Sequence, residues 1–260
     1  MLPKLYKEFV NEGFFTPEEA AAIVKNRDTL KTMIKQLINS GYICRIRRGL
    51  YETIPLGYSK EKKPLADKFL LARKITRQYC YAYHSALEIH GAANSAIYKI
   101  VYVASPKRFR SFNYEGVKYV HALRRDFWGT EKVIWQSLKV IVTDRERTIL
   151  DCLDRIDYAG GFEEMYKSLV SLTNINLQHL YDYAVKFNVE SLFHKLGYFI
   201  SLPAVKEAWE VDAKILQLFR KKLSRTTYYY LLERKKGNNK LSKEWKLVVP
   251  KDIEEAMTFA

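Results

Sequence analysis

The chain reads as an α+β protein, with an N-terminal winged helix-turn-helix domain and a larger C-terminal domain in which a mixed or antiparallel sheet is flanked by helices. Three observations predict this. Within residues 14–52 the apolar period changes from that of a helix to that of a strand. Short runs of β-forming residues cluster between residues 97 and 143, and amphipathic helical stripes follow Gly160-Gly161.

Thr16-Pro17-Glu18-Glu19 has the form of a capping box. The Thr16 hydroxyl can accept from the Glu19 N–H, and the Glu19 carboxylate can reach back to Thr16. Pro17 suits the first helical position, and Phe15 can pack back onto the turn containing Ala20. After the polar break Lys25-Asn26-Arg27-Asp28, where Asp28 is a candidate cap, Leu30, Met33, Ile34, Leu37 and Ile38 recur at helical spacing and predict one buried stripe. The opposite face carries Thr32, Lys35, Gln36 and Asn39, with Lys31 on its flank, as expected of a helix that enters a major groove. Gly41 ends the helix.

From Tyr42 onward the residues alternate, with Tyr42, Cys44 and Ile46 on one face and Ile43, Arg45 and Arg47 on the other. Arg48-Gly49 then turns the chain into a return strand. Arg45, Arg47 and Arg48 are expected to project from this hairpin toward phosphates or a minor groove. Singly, each feature fits a core helix or a solvated turn. Their order, joined by short loops, is what points to a DNA reader.

The formal net charge is +15, with an excess of basic over acidic side chains of +4 in residues 1–60, +7 in 61–160 and +4 in 161–260. The basic character thus extends past the winged helix, so the middle region also faces nucleic acid or an acidic partner. No apolar run is long enough to cross a bilayer and no secretion signal is evident, which predicts a cytoplasmic protein without a membrane partner. Cys44, Cys80 and Cys152 are odd in number and widely spaced. The five histidines lack ligand spacing, so no disulfide, metal or cofactor is expected.

A domain boundary is expected in the polar stretch 57–63, separating a domain of residues 1–57 from one of residues 64–260. Pro64 is expected to open a helix to about residue 77, and residues 83–91 a short helix ending at Gly91. Strands are expected at 97–104, 109–114, 117–123, 132–136 and 139–143, followed by a helix capped by Asp144. Helices then fall near 162–170, 177–184, 192–200 and 211–223. Strands at 227–232 and 245–249 are expected to pair across the basic loop 235–240. In Lys107-Arg108-Phe109-Arg110-Ser111-Phe112-Asn113-Tyr114, Arg108 and Arg110 would share one charged strand face and are secondary contact candidates. The aromatics fit a charge-protected edge strand.

Several stretches resemble the AbiEi family of antitoxins from type IV toxin-antitoxin and phage-resistance systems. They are Arg47-Arg48-Gly49-Leu50-Tyr51, Tyr83-His84-Ser85-Ala86-Leu87 running to His90-Gly91, Thr148-Ile149-Leu150-Asp151-Cys152-Leu153-Asp154-Arg155 followed by Ala159-Gly160-Gly161, and Trp245-Lys246-Leu247-Val248-Val249-Pro250. The resemblance implies a repressor whose winged helix binds its own promoter, and whose C-terminal part counters a nucleotidyltransferase-like toxin. It places DNA contacts on the recognition helix and on Arg45, Arg47 and Arg48. Ser85, Asp151 and Asp154 match family positions without an assigned role. Ser85 reads as a cap or a backbone-bonded hydroxyl, and Asp151 between Arg147 and Arg155 as a surface charge ladder.

The competing class is a metal-dependent nuclease. Glu233-Arg234-Lys235 has the E-x-K form of such enzymes, with Asp151 or Asp154 as the upstream acid, but so short a motif arises readily in a lysine-rich chain. A stand-alone transcription factor without a toxin is the other alternative. Phosphate-loop, dinucleotide and nucleophile-elbow motifs are absent, so no catalytic residue is expected.

Overall fold

A computed structural model describes residues 3–232, 238–253 and 257. In chain order the elements are α1 (Lys4–Phe9), β1 (Phe14–Phe15), α2 (Pro17–Ile23), α3 (Arg27–Asn39), β2 (Ile43–Arg47), β3 (Leu50–Thr53), α4 (Lys68–Ala72), β4 (Cys80–Tyr81) and α5 (His84–Ile89). They continue as β5 (Ile100–Ser105), β6 (Phe112–Tyr114), β7 (Val117–Leu123), β8 (Thr130–Trp135), β9 (Leu138–Thr143), α6 (Arg145–Asp154) and a 3-10 turn at Ile156–Ala159. The last are α7 (Phe162–Val170), α8 (Leu177–Phe187), α9 (Glu190–Ser201), α10 (Pro203–Ala208), α11 (Ala213–Lys221), β10 (Tyr229–Tyr230), β11 (Asn239–Ser242) and β12 (Leu247–Pro250). The class is α+β. No helix among the described residues is long and apolar enough to cross a membrane.

The chain divides into two interleaved compact units: Met1–Tyr79, Lys99–Arg125 and Ile134–Val140 form the first, and Cys80–Tyr98, Asp126–Val133 and Ile141–Ala260 the second. The expected linker at 57–63 lies within the first unit.

In the first unit, the Thr16–Glu19 capping box forms as the sequence predicts and opens α2. Phe15 is buried and stacks on Phe9 and on Tyr51. The helix α3 buries Leu30, Ile34 and Leu37 as it packs on α2 and β2, in a cluster that also holds Leu5, Tyr6 and Phe9 of α1, each burial worth about 1.5–3 kcal/mol of apolar transfer. Ile38, expected in that stripe, is instead 38% exposed, so the buried stripe of α3 is limited to Leu30, Ile34 and Leu37. The strands order as β1-β3-β2, all antiparallel, and the Tyr6 hydroxyl ties α1 to the strand end by donating to Ile54 O at 2.7 Å.

The same unit holds a mixed trio, with β5 parallel to β7 and β6 antiparallel to it. Here β5 is buried along almost its whole length, as a run of β-formers predicts, but it begins at Ile100 rather than at Ile97, which is 79% exposed. The expected helix from Pro64 is shorter and later: Asp67 accepts from the N–H groups of Phe69 and Leu70, so α4 begins at Lys68.

In the second unit β4 pairs in parallel with β9, and Asp144 caps α6 as anticipated. Helices α6 to α11 enclose one core with the expected stripes of Met165, Leu169, Leu180, Leu196 and Ile200. The C-terminal strands differ from the expected hairpin. An additional strand, β11, takes the antiparallel place beside β12, and β10 runs parallel to β12 on its other edge. Trp245 is buried against α9 at Gly197, where any side chain would fall within 2.1 Å of the indole. His194 Nδ1 lies 2.8 Å from Trp245 O.

Candidate nucleic-acid interface

The helix α3 is placed by its cap. Asn26 Oδ1 accepts from the N–H groups of Asp28 (3.0 Å) and Thr29 (2.9 Å), so Asn26 and not Asp28 is the capping residue. Asp28 sits one step inside the helix, where its charge favours the positive end of the helix dipole, and its carboxylate bonds Lys31 Nζ at 3.0 Å. Both partners are largely exposed, so a polyanion can displace this pair at small cost.

Lys31, Thr32, Lys35, Gln36 and Asn39 are all exposed on α3, as the polar face predicts. Thr32 Oγ1 donates back to Asp28 O at 3.0 Å, which leaves its lone pairs outward. The cap at Asn26 also adds exposed Arg27 and Thr29 to the first turn. The sequence pattern passes over them because the apolar stripe begins only at Leu30.

The hairpin treats its three arginines differently. Arg45 and Arg48 are exposed, Arg45 Nε donating to Arg47 O at 3.3 Å, and Gly49 turns the chain at φ +80°. Arg47 departs from the expected outward projection. A register irregularity between Arg45 and Arg47 breaks the alternation, and the Arg47 guanidinium lies 4.8 Å from the centroid of the Phe112 ring. Its Nη1 is buried with no hydrogen-bond partner among the described residues, and burial pulls its pKa below the usual arginine value. Arg47 therefore packs as part of the first unit.

Arg108 and Arg110 are exposed but belong to the irregular segment before β6, not to a strand face as expected. The neighbouring aromatics pack: Phe112 stacks on Tyr119 and Phe109 meets His121 edge-on.

The other marked residues of the sequence lie in the second unit. Asp151 is not the surface ladder its spacing suggests. It is 1% exposed and bonds Arg147 Nε at 2.9 Å, while Arg155 pairs with Asp157. Ser85 is fully buried in α5, whose N-cap residue Tyr83 takes φ +58°, a backbone cost of about 1–3 kcal/mol. His84, also buried, stacks on Tyr98 and lies 2.9 Å from Glu164 Oε1. Glu164 also accepts from the Ser95 N–H and hydroxyl and from Asn94. Gly160 passes so close that a Cβ there would sit 2.7 Å from Glu164 Cγ, so the Gly160 and His84 motifs converge on one carboxylate.

Burial alone would push the Glu164 carboxyl up, but these donors outweigh it and hold it at about 2. A lowered carboxylate stabilises the fold above its unfolded pKa near 4.5, and that stabilisation fades as pH falls toward 2. Glu164→Gln should therefore lose on the order of 2 kcal/mol at pH 7 and little at pH 2.5, measured as urea midpoints at both pH values. An equal loss at both would show that packing rather than charge holds this site.

The Glu233-Arg234-Lys235 motif lies outside the described residues, as does most of the basic loop before Asn239. Among the described residues no group of three or more His, Cys, Asp or Glu side chains converges to hold a metal ion.

No family model matches the chain, and no curated protein matches it. The fold is similar to that in the crystal structure of the RV2827C protein from Mycobacterium tuberculosis, at 14% identity and a TM-score of 0.66, covering 96% of this chain and 92% of that one.

Proposed function

We propose that the chain is a sequence-specific, double-stranded DNA-binding transcriptional regulator, whose residues 14–53 act as a winged helix. The observation that carries this reading is the solvent-facing polar surface of α3, bearing Arg27, Lys31, Thr32, Lys35 and Gln36, on the same compact unit as the exposed Arg45 and Arg48 of the β2–β3 hairpin. A capped helix of 13 residues with an apolar seam and a cationic outer face suits a major groove, and the hairpin arginines suit the flanking phosphates. Arg108 and Arg110 remain exposed secondary contacts.

If about four of these cations meet phosphates, log K should fall with log salt at a slope near −3.6. Arg45→Ala with Arg48→Ala should weaken binding to all duplexes about equally and flatten that slope by roughly 2. Gln36→Ala or Thr32→Ala should instead change the preference among sites, by about 1–3 kcal/mol for each base that is no longer read. Arg47→Ala should act mainly on stability, since its guanidinium is committed to Phe112. Fluorescence anisotropy on a random-site library and its selected duplex reads all of these, and a salt-independent affinity would remove the reading.

The antitoxin role, repression of its own promoter while countering a nucleotidyltransferase-like toxin, rests on the sequence resemblance. Co-expression with the product of the adjacent gene tests it. Rescue by the full chain but not by the Arg45→Ala, Arg48→Ala variant would tie neutralisation to DNA binding. Rescue by both would separate the two roles.

A further inference from the structure

A cavity of about 600 Å³ opens in the second unit between the end of α6, the 3-10 turn and α9. Two opposite charges line it without meeting. The Asp154 carboxylate closes α6 and makes no hydrogen bond or ion pair among the described residues. The Lys195 ammonium reaches in from α9 with a single acceptor, Leu153 O at 3.2 Å, so two of its three donors remain to be filled. Both are partly buried. Burial pushes the Asp154 carboxyl above its usual range despite Lys195, and burial pulls Lys195 down. Each group thus carries a desolvation cost that the fold does not relieve. The remaining wall is apolar, made of Ile156, Phe162, Leu231 and Leu232. At the rim, Arg155 is held by Asp157 at 2.8 Å and lies 3.9 Å from the centroid of the Tyr158 ring, so it is already engaged.

A ligand that satisfies this lining needs a cation for Asp154, an anion for Lys195 and an apolar body. We infer that the cavity is a binding site for a small zwitterion with an apolar side chain, of the free α-amino acid class. Its ammonium would donate to Asp154 and its carboxylate would accept from Lys195, while the side chain covers Phe162 and Leu231. A singly charged ligand relieves only one of the two groups, and a neutral one leaves both charges desolvated.

The test is titration calorimetry on the full chain with L-phenylalanine and L-leucine, against phenylpropionate, which lacks the amine, and phenethylamine, which lacks the carboxylate. The amino acids should bind, and each analogue should bind at least tenfold more weakly. Asp154→Asn should abolish the advantage of phenylalanine over phenylpropionate, and Lys195→Met its advantage over phenethylamine. Both variants are isosteric or nearly so, and their thermal unfolding verifies the fold. If one of them fails to fold, the other and the two analogues still decide. No binding of either amino acid up to about 10 mM overturns the inference, as does phenethylamine binding as well as phenylalanine. Binding of a nucleoside monophosphate in their place, abolished by Lys195→Met, would also overturn it and assign the cavity to phosphate.

Discussion

Lys63→Met is expected to destabilise the first unit by about 3–5 kcal/mol, because it leaves the buried Glu52 carboxylate, with the partly exposed Glu115 beside it, without a cation. The Lys63 side chain is only 2% exposed and lies between Glu52, at 2.7 Å, and Glu115. Glu115 in turn accepts from Ala66 N–H at 2.8 Å, and Glu52 accepts from the Tyr114 hydroxyl and lies 3.5 Å from the Cys44 sulfur. The network thus ties β2 and β3 to the β6–β7 hairpin through a lysine that the sequence places in a polar stretch. Burial raises both the Cys44 thiol and the Tyr114 hydroxyl, so neither is poised to ionise and take over the role of a charge partner.

Burial alone would push the Lys63 ammonium down, but its bonds to Glu115 and Glu52 outweigh that and hold it above the usual lysine value. A raised cation stabilises the fold below its unfolded pKa near 10.5 and stops doing so as pH rises through the folded value. The gap in urea midpoint between parent and variant should therefore be constant across neutral pH and close in strong alkali. Adding Glu52→Gln to Lys63→Met should recover part of the loss, since one orphaned charge is then gone. A loss below about 1 kcal/mol would place the ammonium in solvent.

What could be read from the sequence was set by how local the determining physics is. The capping box at Thr16, the Leu30, Ile34 and Leu37 part of the α3 stripe, the cap at Asp144 and the buried run of β5 from Ile100 all depend on neighbours a few residues away, and these form as expected. The parallel pairing of β10 with β12 depends on partners distant in the chain, whereas the later start of α4 is itself local, since Asp67 caps the helix in place of an opening at Pro64. Lys63 illustrates the same limit: its surroundings in sequence are charged and turn-like, and only pairing with residues 11 and 52 positions away makes it interior.

At the candidate interface the exposed residues of α3 were legible from a helical wheel, because a face opposite a buried seam must be wet. Arg47 was not, since one irregular step in β2 reverses the direction of a side chain and no local signal encodes it. Arg27 and Thr29 could have been found by weighing Asn26 as the cap in place of Asp28, as Asn is among the most favoured residues there.

The same limit governs Asp151, where spacing alone suggests a surface pair worth a few tenths of a kcal/mol and the structure supports a change about ten times larger. Asp151→Asn keeps the shape of the side chain but removes its charge, leaving the Arg147 guanidinium uncompensated among residues that cannot solvate it. Arg147 Nε bonds Asp151 at 2.9 Å, and the guanidinium carbon lies 3.8 Å from the centroid of the Trp128 ring and 4.8 Å from that of Phe187. The other acid within reach, Asp126, is 3.8 Å from Nη1 and 60% exposed, so it can offset little. Gly129 runs close to the stem of this arginine: a Cβ there would lie 2.9 Å from Arg147 Cβ and 3.3 Å from its Cγ. The expected cost is about 3–5 kcal/mol, read as a fall in urea midpoint together with altered near-ultraviolet dichroism from Trp128. Arg147→Met with Asp151→Leu removes both charges and should restore most of that stability, because the desolvation of two ions is then avoided. If the double variant proved as unstable as Asp151→Asn, the shape of the pair and its stacking on Trp128, rather than its charge balance, would be what the second unit requires at this position.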